Sequence, residues 1–148
     1  IDGSTSTAVG SAYVRKDKWV NFITGDISFF YDSNAFWNNY LEPNLVVFLI
    51  NNSGGSIFKI IDGPKSTDSL EKHFEASPKH ASAEHIAKAF ELDYFSASSL
   101  EELEGMMQEI YTYKEGGRPK LIEIKTGGID NESYLKAYFK QITMKWKF

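Results

Sequence analysis

Six consecutive apolar residues, Leu45-Val46-Val47-Phe48-Leu49-Ile50, stop abruptly at Asn51-Asn52-Ser53-Gly54-Gly55. A strand without polar alternation has no face to turn to water, so this run belongs in the middle of a parallel sheet. Parallel neighbours need crossover connections, usually helices. The rest of the sequence supplies them, because helix and strand patterns alternate along the chain. The fold class expected is α/β, with a mainly parallel sheet flanked by helices on both faces.

The pattern divides as follows. Residues 4–14 (STSTAVGSAYV) suit a closely packed helix, and 19–24 (WVNFIT) a strand. Residues 28–41 fit a helix with Phe29, Phe30, Ala35, Phe36 and Tyr40 on an apolar face, broken by Pro43-Asn44. After the 45–50 strand comes a short apolar segment, Ile57 to Ile61. Residues 62–83 are polar and carry no long periodic run, as in a functional or mobile loop. Helix 83–92, strand 93–97, a helix introduced by a Ser98–Glu101 capping box, strand 120–125 and a last helix capped by Asn131 complete the chain. The fourth helix buries Leu100, Leu103, Met107, Ile110 and Tyr111 on this reading. The last turns Tyr134, Leu135, Tyr138, Phe139 and Ile142 inward.

Length and composition bound the function. With 148 residues, 42% hydrophobic and 24% charged, the chain reads as one packed domain spanning 1–148. It has no cysteine, which excludes a disulfide scaffold, a thiolate zinc site and a thiol nucleophile, and which fits a reducing, cytoplasmic setting. A net charge of −4 argues against nucleic acid as a partner. His73, His80 and His85 form no i, i+4 pair and no H-E-x-x-H. P-loop, dinucleotide-binding and nucleophile-elbow motifs are absent from the sequence. The first residue is Ile1 rather than methionine, so the chain reads as processed or as a piece of something longer.

Chemistry concentrates at two strand ends. In open α/β sheets, ligands gather at the carboxyl ends of the strands. One strand runs into Gly25-Asp26-Ile27-Ser28 and the other into Asn51-Asn52-Ser53-Gly54-Gly55, with one helix between them. A right-handed crossover brings both ends to the same edge. Asp26 offers a carboxylate oxygen, Asn52 an amide oxygen, and the turn a backbone carbonyl such as that of Gly54. Three such oxygens make half an octahedron, a half-shell that suits Mg²⁺ completed by water and phosphate oxygens. The turn amides, the helix start and the Ser28 hydroxyl favour an anion. Either half alone is an ordinary turn; the pair around one helix is far more specific to a Mg²⁺–diphosphate site.

Gly25-Asp26, some two dozen residues, then Asn51-Asn52 resembles the signature of the thiamin-diphosphate enzymes. Ile1-Asp2-Gly3-Ser4-Thr5-Ser6-Thr7-Ala8, Ile27 where the family often has glycine, Ser53-Gly54-Gly55-Ser56-Ile57-Phe58 and Ala89-Phe90-Glu91-Leu92 extend the likeness over essentially the whole chain. They are similar to the menaquinone-pathway branch, which decarboxylates 2-oxoglutarate and adds the succinyl-semialdehyde unit to isochorismate. The resemblance implies a thiamin-diphosphate-binding fold and the C-terminal fragment of a longer homo-oligomeric transferase. It implies Mg²⁺ on Asp26, Asn52 and the Gly54 carbonyl, and the diphosphate on Ser28. It also implies that Ile57, Phe58 and Ile61 line the cofactor pocket and that Ile1 is wedged under the cofactor. Plain core packing is the alternative for the last four. The activating glutamate of the family stands on an N-terminal domain contributed by a partner subunit. Its substrate-clamping arginines precede Ile1, and Arg15 and Arg118 match neither. No catalytic residue is therefore assigned within the chain, and the chain alone is expected to be inactive. Another thiamin-diphosphate decarboxylase, an acetolactate-type synthase, or a non-enzymatic α/β binding module are the other readings.

Overall fold

The computed structural model describes residues 3–61, 63, 66–76, 80–127 and 130–145, with side chains to 142. Four parallel strands form one sheet: β1 (Val20–Gly25), β2 (Leu45–Asn51), β3 (Asp93–Ala97) and β4 (Lys120–Lys125), in the spatial order β1-β2-β4-β3. The apolar run Leu45–Ile50 lies in an interior strand, β2, as its composition requires. Leu45, Val46, Val47 and Leu49 are each 0% exposed, so the first half of β2 is dry on both faces, while Phe48 and Ile50 are half-buried.

Helices cover the two faces unequally. Side chains alternate across a strand, so Leu45, Val47 and Leu49 point one way and Val46 the other. The first face packs on α1 (Ser4–Val14) through Ala8, Val9 and Ala12, on α2 (Asp26–Tyr31) through Phe29, and on α3 (Ala83–Ala89) through Ala83 and Ala87. The second face packs on α4 (Leu100–Ile110), where Ile110 meets Val46 and Ile122. The small residues of α1 let it lie close to the sheet. The last helix, α5 (Asn131–Lys145), packs against a 3₁₀ turn at Ser56–Lys59.

Four expectations are revised. The helix expected over 28–41 is shorter: α2 ends at Tyr31, and a 3₁₀ turn follows at Ser33–Phe36. Asp32 causes the break. It is buried, and both carboxylate oxygens are occupied by Ser6 of α1, one by its backbone N–H and one by its hydroxyl, each at 3.0 Å. That anchor fixes the chain where a continuing helix would have carried it away. The capping box sits one residue later, with Ser99 accepting from Glu102 N–H and the Glu102 carboxylate accepting from Ser98 N–H. This places Leu100 outside, 65% exposed. Asp130 rather than Asn131 caps α5, accepting from Ser133 N–H at 3.1 Å. Those bonds hold the Asp130 carboxyl below its ordinary range. The aromatic side of α5 is not inward, as Tyr134 is 71% and Tyr138 57% exposed.

At the amino ends of the strands, Asn44 is the tie. Its side-chain N–H₂ donates to the carbonyls of Ala12 (3.2 Å), Arg15 (2.9 Å) and Lys18 (2.8 Å), closing the α1–β1 connection onto β2. Its Oδ1 is buried with no partner among the described residues. Asn44→Ala should lower stability by about 2 kcal/mol, since it strands buried carbonyls. Asn44→Asp should cost more, because it turns a second acceptor toward them. Urea unfolding of the three proteins checks that order.

Candidate functional site

Register brings the two polar strand ends together. Gly25 of β1 stands beside Ile50 of β2 in the parallel ladder, so Asp26 and the Asn51–Gly55 turn emerge at the same edge. Asp26 is 2% exposed. Its Oδ2 accepts from Gly54 N–H at 2.7 Å and its Oδ1 from Ile27 N–H at 2.8 Å. Both donors are backbone amides, so the buried carboxyl group is held in place with no cationic side chain bonded to it. Such a group favours a cation beside it.

The turn is shaped by two successive residues in the left-handed region, Ser53 at φ 65° and Gly54 at φ 132°. The second value suits glycine, which explains that residue at this point. Gly55 is needed for space, because a Cβ there would lie 2.9 Å from Phe58 Cδ2 and 3.0 Å from the Phe74 carbonyl. Asn52 donates its side-chain N–H₂ to Ser56 Oγ at 2.9 Å, which leaves its amide oxygen as the acceptor. The set at this edge is therefore one carboxylate, one amide oxygen and one glycine carbonyl. All are hard oxygens of the kind Mg²⁺ takes, and they fit that ion and its diphosphate. A set of this composition contains one acidic side chain. That is consistent with the described residues holding no cluster of three His, Cys, Asp or Glu side chains.

The remaining expected residues lie around this edge. Ser28 is half-buried in the first turn of α2, three residues from the β1 end. Because α2 has only six residues, its dipole is a smaller aid to an anion than the longer helix would have been. Ile57, Phe58 and Ile61 follow the turn directly. Ile57 and Ile61 are 50% and 42% exposed, and Phe58 packs at a tilt against Phe74 with ring centres 5.7 Å apart. They form an apolar rim rather than a closed core. Ile1 lies outside the described residues.

Three polar residues at this edge were not anticipated. Glu123 of β4 is buried, and its Oε1 accepts from the Asn51 side chain at 2.6 Å. Its Oε2 accepts from the Tyr94 hydroxyl, with Lys125 Nζ at 3.8 Å. The signal available in the sequence was a single carboxylate inside an apolar strand, Leu121-Ile122-Glu123-Ile124. A surface cavity of about 700 Å³, lined by Trp37, Phe90, Glu91 and Arg118 among others, lies at the opposite edge, by the amino ends of the strands. It is remote from these groups, and the carboxyl edge is the one where α/β sheets bind ligands.

Residues 3–124 match the family described as thiamine pyrophosphate enzyme, C-terminal TPP binding domain. Three curated relatives are called 2-succinyl-5-enolpyruvyl-6-hydroxy-3-cyclohexene-1-carboxylate synthase. The protein from Flavobacterium johnsoniae is 46% identical over 97% of this chain and 25% of its own length. That from Christiangramia forsetii is 45% identical over 94% and 23%. That from Cytophaga hutchinsonii is 39% identical over 99% and 25%. The chain thus spans about a quarter of the length of the curated relatives it matches. Among the described residues no helix is long and apolar enough to cross a membrane.

Burial and the Glu123 carboxylate push the Tyr94 phenol well above its ordinary value of 10.0. The fold therefore favours the protonated phenol. That contribution is complete below pH 10.0 and is lost as pH rises beyond it. Ultraviolet titration should show one late-ionising tyrosine, removed by Tyr94→Phe. In that variant the alkaline fall in stability should begin less steeply.

Proposed function

The chain belongs to the family of C-terminal cofactor-binding domains of thiamine pyrophosphate enzymes, and from that premise we propose that it carries the metal and diphosphate half of the active site of a menaquinone-pathway synthase. In this reading Asp26, Asn52 and the Gly54 carbonyl hold Mg²⁺. Ser28 donates to a diphosphate oxygen, and Ile57, Phe58 and Ile61 form the apolar wall beside the cofactor, with Ile1 beneath it. Residues 1–148 act as one domain. When bound, thiamin diphosphate supplies the nucleophilic carbon and the electron sink that decarboxylation of a 2-oxo acid requires.

The protein's own part is placement. The Asp26 carboxylate fixes the turn through Gly54 N–H and leaves lone pairs for the metal. The Asn52 amide is oriented by Ser56, so its oxygen and not its nitrogen is free to ligate. The apolar rim lowers the local dielectric, which favours neutral over charged species at the reacting carbon.

The substrates are 2-oxoglutarate and isochorismate, the setting is cytoplasmic, and the complete enzyme is a homo-oligomer. The activating glutamate and the substrate-binding arginines come from the rest of the protein, the glutamate from a partner subunit. The exposed Ile57 and Ile61 support that arrangement, being the apolar surface such a partner would cover.

One observation carries the reading: a buried carboxylate after β1 is hydrogen-bonded to the Asn-Asn-Ser-Gly-Gly turn after β2, joining the two halves of the family signature. Calorimetry on the full-length protein should show thiamin diphosphate binding that requires Mg²⁺. Asp26→Ala should weaken it at least about 100-fold, the upper range for loss of a group that orders a metal site. The full-length protein should convert 2-oxoglutarate and isochorismate, and residues 1–148 alone should yield no product. Cofactor binding independent of metal and of Asp26, or turnover by the isolated chain, would refute the proposal.

A further inference from the structure

Asp26 ties the Asn51–Gly55 turn to β1; a second tether runs from the turn to β4 and β3. Glu123 is 6% exposed and is flanked in the ladder by Leu49 of β2 and Ser96 of β3. Its side chain reaches diagonally to both strands, accepting from Asn51 Nδ2 at 2.6 Å and from the Tyr94 hydroxyl. Lys125 Nζ is 3.8 Å from the same carboxylate.

Asn51 is the residue on which this tether bears. Its Nδ2 goes to Glu123, while its Oδ1 accepts from Ser53 N–H at 3.0 Å and closes the first bend of the turn. Its carbonyl accepts from Thr126 N–H at 2.9 Å. Ser53 and Gly54, the second and third residues after Asn51, are the pair with positive φ. Backbone of this kind is strained at a non-glycine residue and persists only where its surroundings hold it. Glu123 supplies that hold from one side, and Asp26 receives Gly54 N–H on the other.

We propose that Glu123 is a positioning residue of the metal site: through Asn51 it fixes the Asn51–Gly55 turn that presents the Asn52 amide oxygen and the Gly54 carbonyl. Glu123 touches neither metal nor cofactor in this scheme. The inference rests on the reading of Asp26, Asn52 and Gly54 as Mg²⁺ ligands. Tyr94 braces the carboxylate from β3, so all four strands contribute to the geometry of one turn.

The test uses the full-length protein and measures Mn²⁺ affinity at saturating thiamin diphosphate by electron paramagnetic resonance, beside the Tm of the metal-free protein. Groups that orient metal ligands typically cost about 10–100-fold in affinity when removed. Glu123→Ala should weaken Mn²⁺ binding by about that range. Glu123→Gln keeps length and an acceptor for Asn51 and should stay within about 3-fold of wild type. Asn51→Ala cuts the same link from the turn and should match Glu123→Ala. The double variant should be no worse than either single, the non-additivity expected of groups acting in series. If Glu123→Ala fails to fold, Asn51→Ala against Glu123→Gln carries the comparison. A lowered Tm with Mn²⁺ affinity unchanged in Glu123→Ala or Asn51→Ala would make the cluster a sheet brace only and overturn the proposal. Additive losses in the double variant would overturn it too. Wild-type protein that binds no Mn²⁺, or binds it equally well as Asp26→Ala, would sink the metal-site reading and this one with it. Normal dependence on Asp26 with no effect at Glu123 or Asn51 would sink this one alone.

Discussion

Gly54 N–H donates to a buried oxygen of Asp26 across 2.7 Å, and the geometry of the site follows from that contact. It joins the end of β1 to the turn after β2, two segments separated by the whole of α2 and its 3₁₀ extension. The bond is possible only because β1 and β2 run parallel in a register that sets Gly25 beside Ile50. The donor is a backbone amide, so no cationic side chain occupies Asp26 in a place where water is scarce. A buried carboxyl group held only by backbone amides thus stands at the carboxyl edge of the sheet.

The two ends of the sheet are built for different tasks. At the amino edge, side-chain donors tie backbone carbonyls together. Asn44 gathers three carbonyls, and buried Lys120 donates to the Thr112 carbonyl while lying 5.0 Å over the Trp19 ring. Burial accordingly lowers the Lys120 pKa. At the carboxyl edge, the buried Asp26 is tied to the Asn51–Gly55 turn, and apolar side chains at Ile57 and Ile61 are exposed beside it. Packing stabilises one end and leaves the other unfinished. An active site shared with further protein would need that division.

How far the sequence could be read depended on whether local chemistry or distant contacts set each feature. Strands β2, β3 and β4 were legible nearly to the residue, because apolar runs bounded by polar or glycine-rich segments have few other ways to fold. The meeting of Asp26 with the Asn51–Gly55 turn was legible because their types and spacing around one crossover match a known signature. The helix over 28–41 was overestimated, since nothing local to Asp32 reveals that Ser6, 26 positions earlier, captures it. The outward aromatic side of α5 could not be foreseen either: an amphipathic pattern shows which side is apolar but not whether anything covers it. Glu123 was passed over because a lone carboxylate in a strand can be buried or solvated with the same sequence.

By itself, then, the sequence determined the α/β class, the interior place of β2, the family, and the pairing of Asp26 with the Asn-Asn turn. These rest on hydrophobic periodicity and on residue chemistry, both carried within a few dozen positions. Only the tertiary structure decided which atoms of those residues are already engaged and which remain available. It also decided that Glu123 and Tyr94 reach the turn through Asn51. Those facts depend on strand register, where a displacement of one residue would have turned Glu123 to the other face of the sheet.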